Sequence, residues 1–521
     1  MSAAKDNETQ QNRTTSDTAR KPHQTAQQKS EARSNLMYSA IVVLFLVVAA
    51  ITVIWRSNII QKSATAATID EEKYTASEVS FYYQNAYYNF VNNYSYLISY
   101  FGLDTSLPLE GQPINETAAA ILGLEVGGTW HDYFLEQALN QMATIQTALN
   151  NAEAEGFTYS AGVQAQYDDS MAALKSAATA SGLSTNQYLK NNFSSTMSEK
   201  VYSAELMRMF QFDDYLNAHM DSLTYTDEQM EEIYAADPNS YDKVSYKAVM
   251  ISGTAESTTN DDGETVEPTE EETAAAKEAA KSAADKMLRD YKASSSSNLA
   301  SLADGYGDGA TYSENTAMAY SGDALTEWLF ATERQSGDSA VIESGSNYYV
   351  AVFNERYREE YETIDVRHIL IQPAAGELSE DDEGYEDEQA QLKADAKAQA
   401  DDILAQWQTG EATEDTFAQL AMEHSVDGSK YVGGLYTRVY QGQMVTTFED
   451  WCFDSSRQVG DTGIVETPYG YHVMYFSGKN LPYWQTMIAS TLEDEEYGTW
   501  YEGLSANSQI QQHDFGMKFV G

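Results

Sequence analysis

Cysteine is nearly absent. The chain has one among 521 residues, Cys452, which excludes an intrachain disulfide, a four-cysteine zinc site and a thioredoxin-like thiol pair. Basic charge is also scarce: 31 Lys and Arg stand against 80 Asp and Glu, and the net charge of -49 would repel a phosphate backbone. No local basic patch offsets it, so nucleic acid is excluded as a partner. What is present is length and apolar content. At ~100–200 residues per domain the chain is too long for one core and suits three or four units. An apolar fraction of 42% with 37 Tyr gives enough buriable surface for folded domains despite the charge.

Leu36 to Trp55 is an uncharged apolar run of 20 residues, the length at which a helix spans a ~30 Å hydrocarbon core. Six basic residues (Lys5, Arg13, Arg20, Lys21, Lys29, Arg33) against four acids precede it, and everything after it is acidic. The expectation is a disordered cytoplasmic tail (1–35), one transmembrane helix (36–56) and an extracytoplasmic remainder at the cell membrane. The rival reading is a cleaved signal peptide, with Ala64-Thr65-Ala66 as the cleavage site. The long polar leader and the distance of those alanines from the apolar run count against it. No cysteine stands close behind the run, which excludes a lipid anchor there.

From Thr68 to about Tyr234 apolar residues recur at three- and four-residue steps. Val79, Tyr83, Ala86, Tyr87, Phe90, Tyr94, Leu97, Ile98 and Phe101 form one stripe, and further stripes run over 130–149, 167–180 and 201–216. A helical domain is expected over 57–238. Its tyrosines suit either helix–helix packing or an adaptable surface for unfolded chains. Beyond it lies a repeat. Ala324 to Phe353 and Thr447 to Phe476 align at a constant offset of 123 with 10 identities in 30 positions, among them Trp328/Trp451, Arg334/Arg457, Glu343/Glu466 and Tyr348/Tyr471. Upstream, Lys247 to Ile251 parallels Arg367 to Ile371 at an offset of 120, and each is followed by an acidic run and an Ala-rich helix. Two copies of one domain are expected, at 242–357 and 362–479.

In the second copy the pattern predicts strand, loop, helix, helix, loop, helix, strand, strand. Val366, His368 and Leu370 share one face of the first strand; His472, Met474 and Phe476 share one face of the last. Helices grouped between strands of a common sheet indicate an α+β layer. The strings VRHILI (366–371), FAQLAMEHSVDGS (417–429), Gly433-Gly434, GQMVTTFEDWCF (442–453) and GIVETPYGYHVMYF (463–476) together resemble a parvulin-type peptidyl-prolyl isomerase domain. The whole chain then resembles the extracytoplasmic foldases and chaperones of bacteria: a transmembrane helix, a helical chaperone-like domain and two tandem parvulin-like domains.

The resemblance implies a reaction in which no bond breaks. An Xaa-Pro amide rotates over a barrier of about 18–20 kcal/mol. Its planar form is stabilised by charge-separated resonance, so an apolar seat favours the twisted state. By the family pattern Met444 and Phe448, one helical turn apart, match that seat, and Tyr436 stands where the family usually has Leu. His368 and His472 match the paired histidines beneath the proline, Thr467 a hydroxyl that hydrogen-bonds them, and Asp427 the Cys or Asp position beside the substrate carbonyl. No cofactor or metal is implied. The first copy departs from the pattern: Ala248 stands at the place of His368, Tyr349 of His472, Leu325 of Phe448 and Ser344 of Thr467. It is expected to keep the fold without isomerising.

The acidic runs Asn260 to Glu272 and Glu377 to Glu388 offer no basic residue to a phosphate, and neither has the spacing of a calcium-binding EF-hand loop. The tail 481–521 opens with a helical stripe (Trp484, Ile488, Leu492, Trp500, Leu504), ends in alternating Phe515, Met517 and Phe519, and is expected to complete the N-terminal domain. Two functions remain: an isomerase for Xaa-Pro bonds in unfolded exported polypeptides, or a non-catalytic holdase that uses parvulin folds as peptide-binding surfaces.

Overall fold

In the computed structural model the described residues are 42–49, 52, 58–124, 127–259, 265–293, 298–306 and 309–521. The expected tail 1–35 and most of the expected span 36–56 lie outside them. Residues 42–49 are helical, 42–48 of them exposed, and among the described residues no helix is long and apolar enough to cross a membrane. The chain divides into two units: Met1–Leu139 with Leu189–Ser198 and Gln509–Gly521, and Asn140–Tyr188 with Glu199–Ser508. This division cuts across the single helical domain expected over 57–238.

In the first unit, residues from Thr68 onward were expected to be helical, but Thr65–Ile69 and Glu72–Thr75 form an antiparallel hairpin. Thr68 and Ile69 are β-branched, and Asp70 turns the chain at φ 53. Helix Ala76–Asn93 then starts at a capping box in which Thr75 and Glu78 satisfy each other's backbone amides. Its aromatic stripe is core: Tyr82 and Tyr83 are buried, and Phe90 packs on Trp130 and Phe134 at ring distances of 5.2 and 5.4 Å. Tyr96 and Tyr100 stay exposed. The third strand comes from the far end of the chain, Ile510–Gln512 pairing with Thr65–Ile69. Of the tail 481–521, residues 509–521 join the first unit, while helix Tyr483–Ser505 lies in the second unit and packs on the helices at 199–236, Trp484 and Ile488 against Met230 and Trp500 against Tyr215. The alternating Phe515 and Met517 lie in a short helix, Asp514–Met517, instead of a strand.

The second unit holds two four-stranded antiparallel sheets of the same topology. In the first the spatial order is Ala310–Met318, Asp242–Ile251, Asn347–Arg358, Ser339–Ser344; in the second it is Leu435–Val439, Glu362–Ile371, Gly470–Pro482, Thr462–Thr467. Each places its first and last strands side by side at the centre. The aligned residues make matching contacts. Arg334 sits over the Trp328 ring at 4.8 Å and Arg457 over Trp451 at 4.2 Å, while Lys277–Glu343 and Lys393–Glu466 are both ion pairs of 2.6 Å. The registers match too: Ala248 lies opposite Ala351 and Met250 opposite Tyr349, as His368 lies opposite Met474 and Leu370 opposite His472.

Around the second sheet the elements follow the expected order with one addition. Helices Tyr385–Thr409 and Glu414–His424 cover one face, burying Ile369, Ile371, Tyr471 and Val473 against Ala400, Ile403, Trp407 and Phe417. The helix expected at 448–453 spans Thr446–Cys452 and covers the other face, where Ile364, Val366, Met474 and Phe476 meet Phe448 and Cys452. The addition is strand Leu435–Val439, expected as loop. It is short, interrupted by a bulge, and Arg438 takes a left-handed φ of 53, so no clean alternation marks it in the sequence.

Candidate active site

Alternation along the two central strands puts Val366, His368 and Leu370 on the same face as His472, Met474 and Phe476. His368 is opposite Met474, which makes His472 its diagonal neighbour on that face. The two imidazoles meet there with Nδ1 to Nδ1 at 3.0 Å and rings inclined by 26°. Both are buried, at 1% and 6% exposure. Phe448 stands edge-on to both rings, 5.5 and 5.3 Å away.

Each imidazole has a second partner. Thr467 Oγ1 lies 2.9 Å from His472 Nε2 and accepts the Tyr469 amide at 3.1 Å. On the other side, His368 Nε2 faces Asp427 Oδ1 at 3.4 Å and Ser429 Oγ at 3.2 Å. Asp427 caps the turn Gly428–Val432: its Oδ1 accepts the Ser429 amide at 2.8 Å, the Ser429 hydroxyl at 2.5 Å and the Tyr436 hydroxyl at 3.1 Å. The hydrogen bond from His368 holds the Asp427 carboxyl well below the usual range, outweighing the burial that pushes it up. Burial pushes the His472 imidazole down to about 4, and the neighbouring His368 pushes the same way.

An ionised Asp427 can only accept, so His368 donates to it from Nε2. The contacts run from Thr467 through His472 and His368 to Asp427, give every ring nitrogen a partner, and lock both rings as the floor of the site.

Above the floor is a cleft of about 450 Å³, lined by His368, His472, Asp427, Tyr436, Met444 and Phe448 among others. All seven residues singled out from sequence thus lie together. The Tyr436 ring lies against His368 at 4.6 Å, tilted by 34°, occupying space that a leucine would leave open, and burial pushes its hydroxyl up to about 12. Val426 and Tyr469 stand at the rim, 58% and 61% exposed. Cys452 is packed in the core beneath, its thiol pushed up to about 12 by burial. Sequence reasoning missed Ser429, which lies in the quoted string but ties His368 to Asp427 only once the turn is folded. The diglycine is required by that fold. A Cβ on Gly434 (φ +73) would stand 2.2 Å from the His368 carbonyl oxygen, and one on Gly433 (φ +71) 2.6 Å from Ala418 Cβ. Among the described residues no group of three His, Cys, Asp or Glu side chains is placed to hold a metal.

Fold and site define an α+β protein with an apolar cleft over a buried histidine pair. Residues 348–480 match the family described as the PPIC-type PPIase domain, the parvulin type of peptidyl-prolyl isomerase. No curated protein matches the chain. Among solved structures it is similar to the peptidylprolyl isomerase PrsA from Bacillus anthracis (24% identity over 28% of this chain and 58% of that one, TM-score 0.17). PrsA from Bacillus subtilis matches at 20% identity over 28% and 49% of the two chains, TM-score 0.19. A SurA-like chaperone of Campylobacter jejuni matches at 14% identity over 85% of this chain and 96% of that one, TM-score 0.14. The chain spans only 58% and 49% of the two Bacillus proteins.

Proposed function

We propose that this chain is a membrane-tethered peptidyl-prolyl isomerase that assists the folding of exported polypeptides outside the cytoplasmic membrane. The observation that carries the reading is the imidazole pair, 3.0 Å apart, flooring an apolar cleft beside an ionised Asp427. Met444 and Phe448 would seat the proline ring and strip water from its amide. The planar amide owes its stability to charge separation, with negative charge on oxygen; that charge falls as the bond twists. Asp427 beside the carbonyl destabilises the planar form more than the twisted one, and a dry site strengthens the effect. The histidines and Thr467 hold the floor and move no proton to substrate. The 20-residue apolar run and the charge asymmetry across it support the tether and the orientation.

The matched topology, register and ion pairs of the two sheets support a duplication in which 242–357 is a second parvulin-like module. Ala248 and Tyr349 occupy the places of the histidines, so this module would bind or space without isomerising, and that feature favours the holdase as the second reading. The two are separated by refolding a protein whose slow phase is prolyl isomerisation. Wild type should accelerate that phase, and a His368→Ala, Met444→Ala double variant should not. Equal yield and equal rate with both proteins would leave only the holdase.

A further inference from the structure

The turn that carries Asp427 and Ser429 is held from inside and from outside. Inside, the Asp427 carboxylate binds the Ser429 amide, and the Val426 amide donates to the Leu370 carbonyl at 3.1 Å. Gly433 and Gly434 amides return to Lys430 and Ser429 carbonyls at 2.9 Å each, so the turn moves as one piece. The outer side meets helix Ala161–Ala180. Asp169 Oδ2 accepts from Lys430 Nζ at 2.5 Å and from the Tyr431 hydroxyl at 3.2 Å. Two turns earlier in that helix, the Gly162 Cα faces the Tyr431 carbonyl so closely that an added Cβ would stand 1.9 Å from the oxygen. The helix start is itself anchored: the Ser160 hydroxyl and amide donate to Asp214 at 2.6 and 2.8 Å.

We propose that helix Ala161–Ala180 is a working part of the prolyl site, with Gly162 and Asp169 as positioning residues that press the Gly428–Val432 turn, and through it Ser429 and Asp427, against His368. The inference rests on the isomerase reading. Its force comes from geometry. Asp169 is half exposed, and an ion pair of that kind adds little to stability. Displacing a reacting group by about 1 Å, in contrast, can cost on the order of a hundredfold in rate. Gly162 sharpens the contrast. Its φ lies outside the left-handed region, so alanine there would ordinarily stabilise the helix. Here the methyl would meet the backbone of the turn.

The test uses the full chain in a proline-peptide isomerisation assay: wild type, Gly162→Ala, Asp169→Ala, and the charge swap Asp169→Lys with Lys430→Asp. Histidine-selective NMR follows the His368 and His472 rings. Asp169→Ala should lower kcat about tenfold with KM little changed, move the imidazole resonances and leave the melting temperature within a few degrees; Gly162→Ala should lower kcat at least as much and move the same resonances, with a larger drop in melting temperature from the clash with the Tyr431 carbonyl. The swap should regain most of the Asp169→Ala loss. An active wild type with both single variants within twofold of it would overturn the proposal. If wild type itself does not isomerise, the functional reading falls separately. The resonances then decide: shifted in Gly162→Ala and Asp169→Ala they sustain the positioning role, and unshifted they overturn it.

Discussion

Acidification should weaken the module built on the second sheet through His472 before it reaches most carboxylates. The ring is 6% exposed, its Nε2 is bound to Thr467 at 2.9 Å and its Nδ1 to His368 at 3.0 Å, and burial holds it down to about 4 against an ordinary value of 6.5. Between those values the unfolded chain binds a proton at this position and the folded chain does not. Stability is therefore fully present above pH 6.5 and is lost as pH falls toward 4, with a limiting slope of about 1.4 kcal/mol per unit and a total of roughly 3 kcal/mol. Many acids titrate nearby, so the quantity to measure is a difference. Urea unfolding of wild type and His472→Gln from pH 7.5 to 4 should show a wild-type advantage that shrinks over that window. Histidine-selective NMR should show the resonance missing in the variant titrating near 4. A constant stability difference together with a titration near 6.5 would refute an uncharged, buried His472.

Two further outcomes follow from the same contacts. Thr467→Val keeps the shape but leaves His472 Nε2 unpartnered in the core; it should cost about 1–3 kcal/mol in urea unfolding and let the ring titrate differently by NMR. Asp427→Asn keeps the size and part of the hydrogen bonding while removing the charge, and should lower kcat at least tenfold, or about 1.4 kcal/mol of barrier, with KM little affected in steady-state peptide assays. An unchanged kcat would remove electrostatics from the mechanism.

The site was more legible in the sequence than the fold around it, for a physical reason. His368 and His472 sit on long buried strands whose two-residue alternation shows in the sequence, and the repeat offset of 123 aligned the closing strands without coordinates. Strand Leu435–Val439 has three paired positions and a bulge, too little to produce a period. Thr65–Ile69 is five residues long and finds one of its partners more than 400 residues away, which no local pattern encodes. In strand Ala310–Met318 the polar run Thr311 to Thr316 sits on an open sheet edge, where side chains face water and apolar alternation is lost. Ser429 escaped because its role exists only across 61 residues of sequence, in the hydrogen bond to His368. The same holds for Asp169, whose partner Lys430 is 261 positions on.

The central claim is that an Xaa-Pro bond turns over in the cleft above the imidazole pair. Exchange NMR on a proline peptide reads the cis–trans rate at equilibrium, without a coupled protease. The account predicts that catalytic amounts of the full chain broaden and cross-link the cis and trans resonances and that the His368→Ala, Met444→Ala variant does not. The same exchange rate with both proteins, or none with wild type, would contradict it.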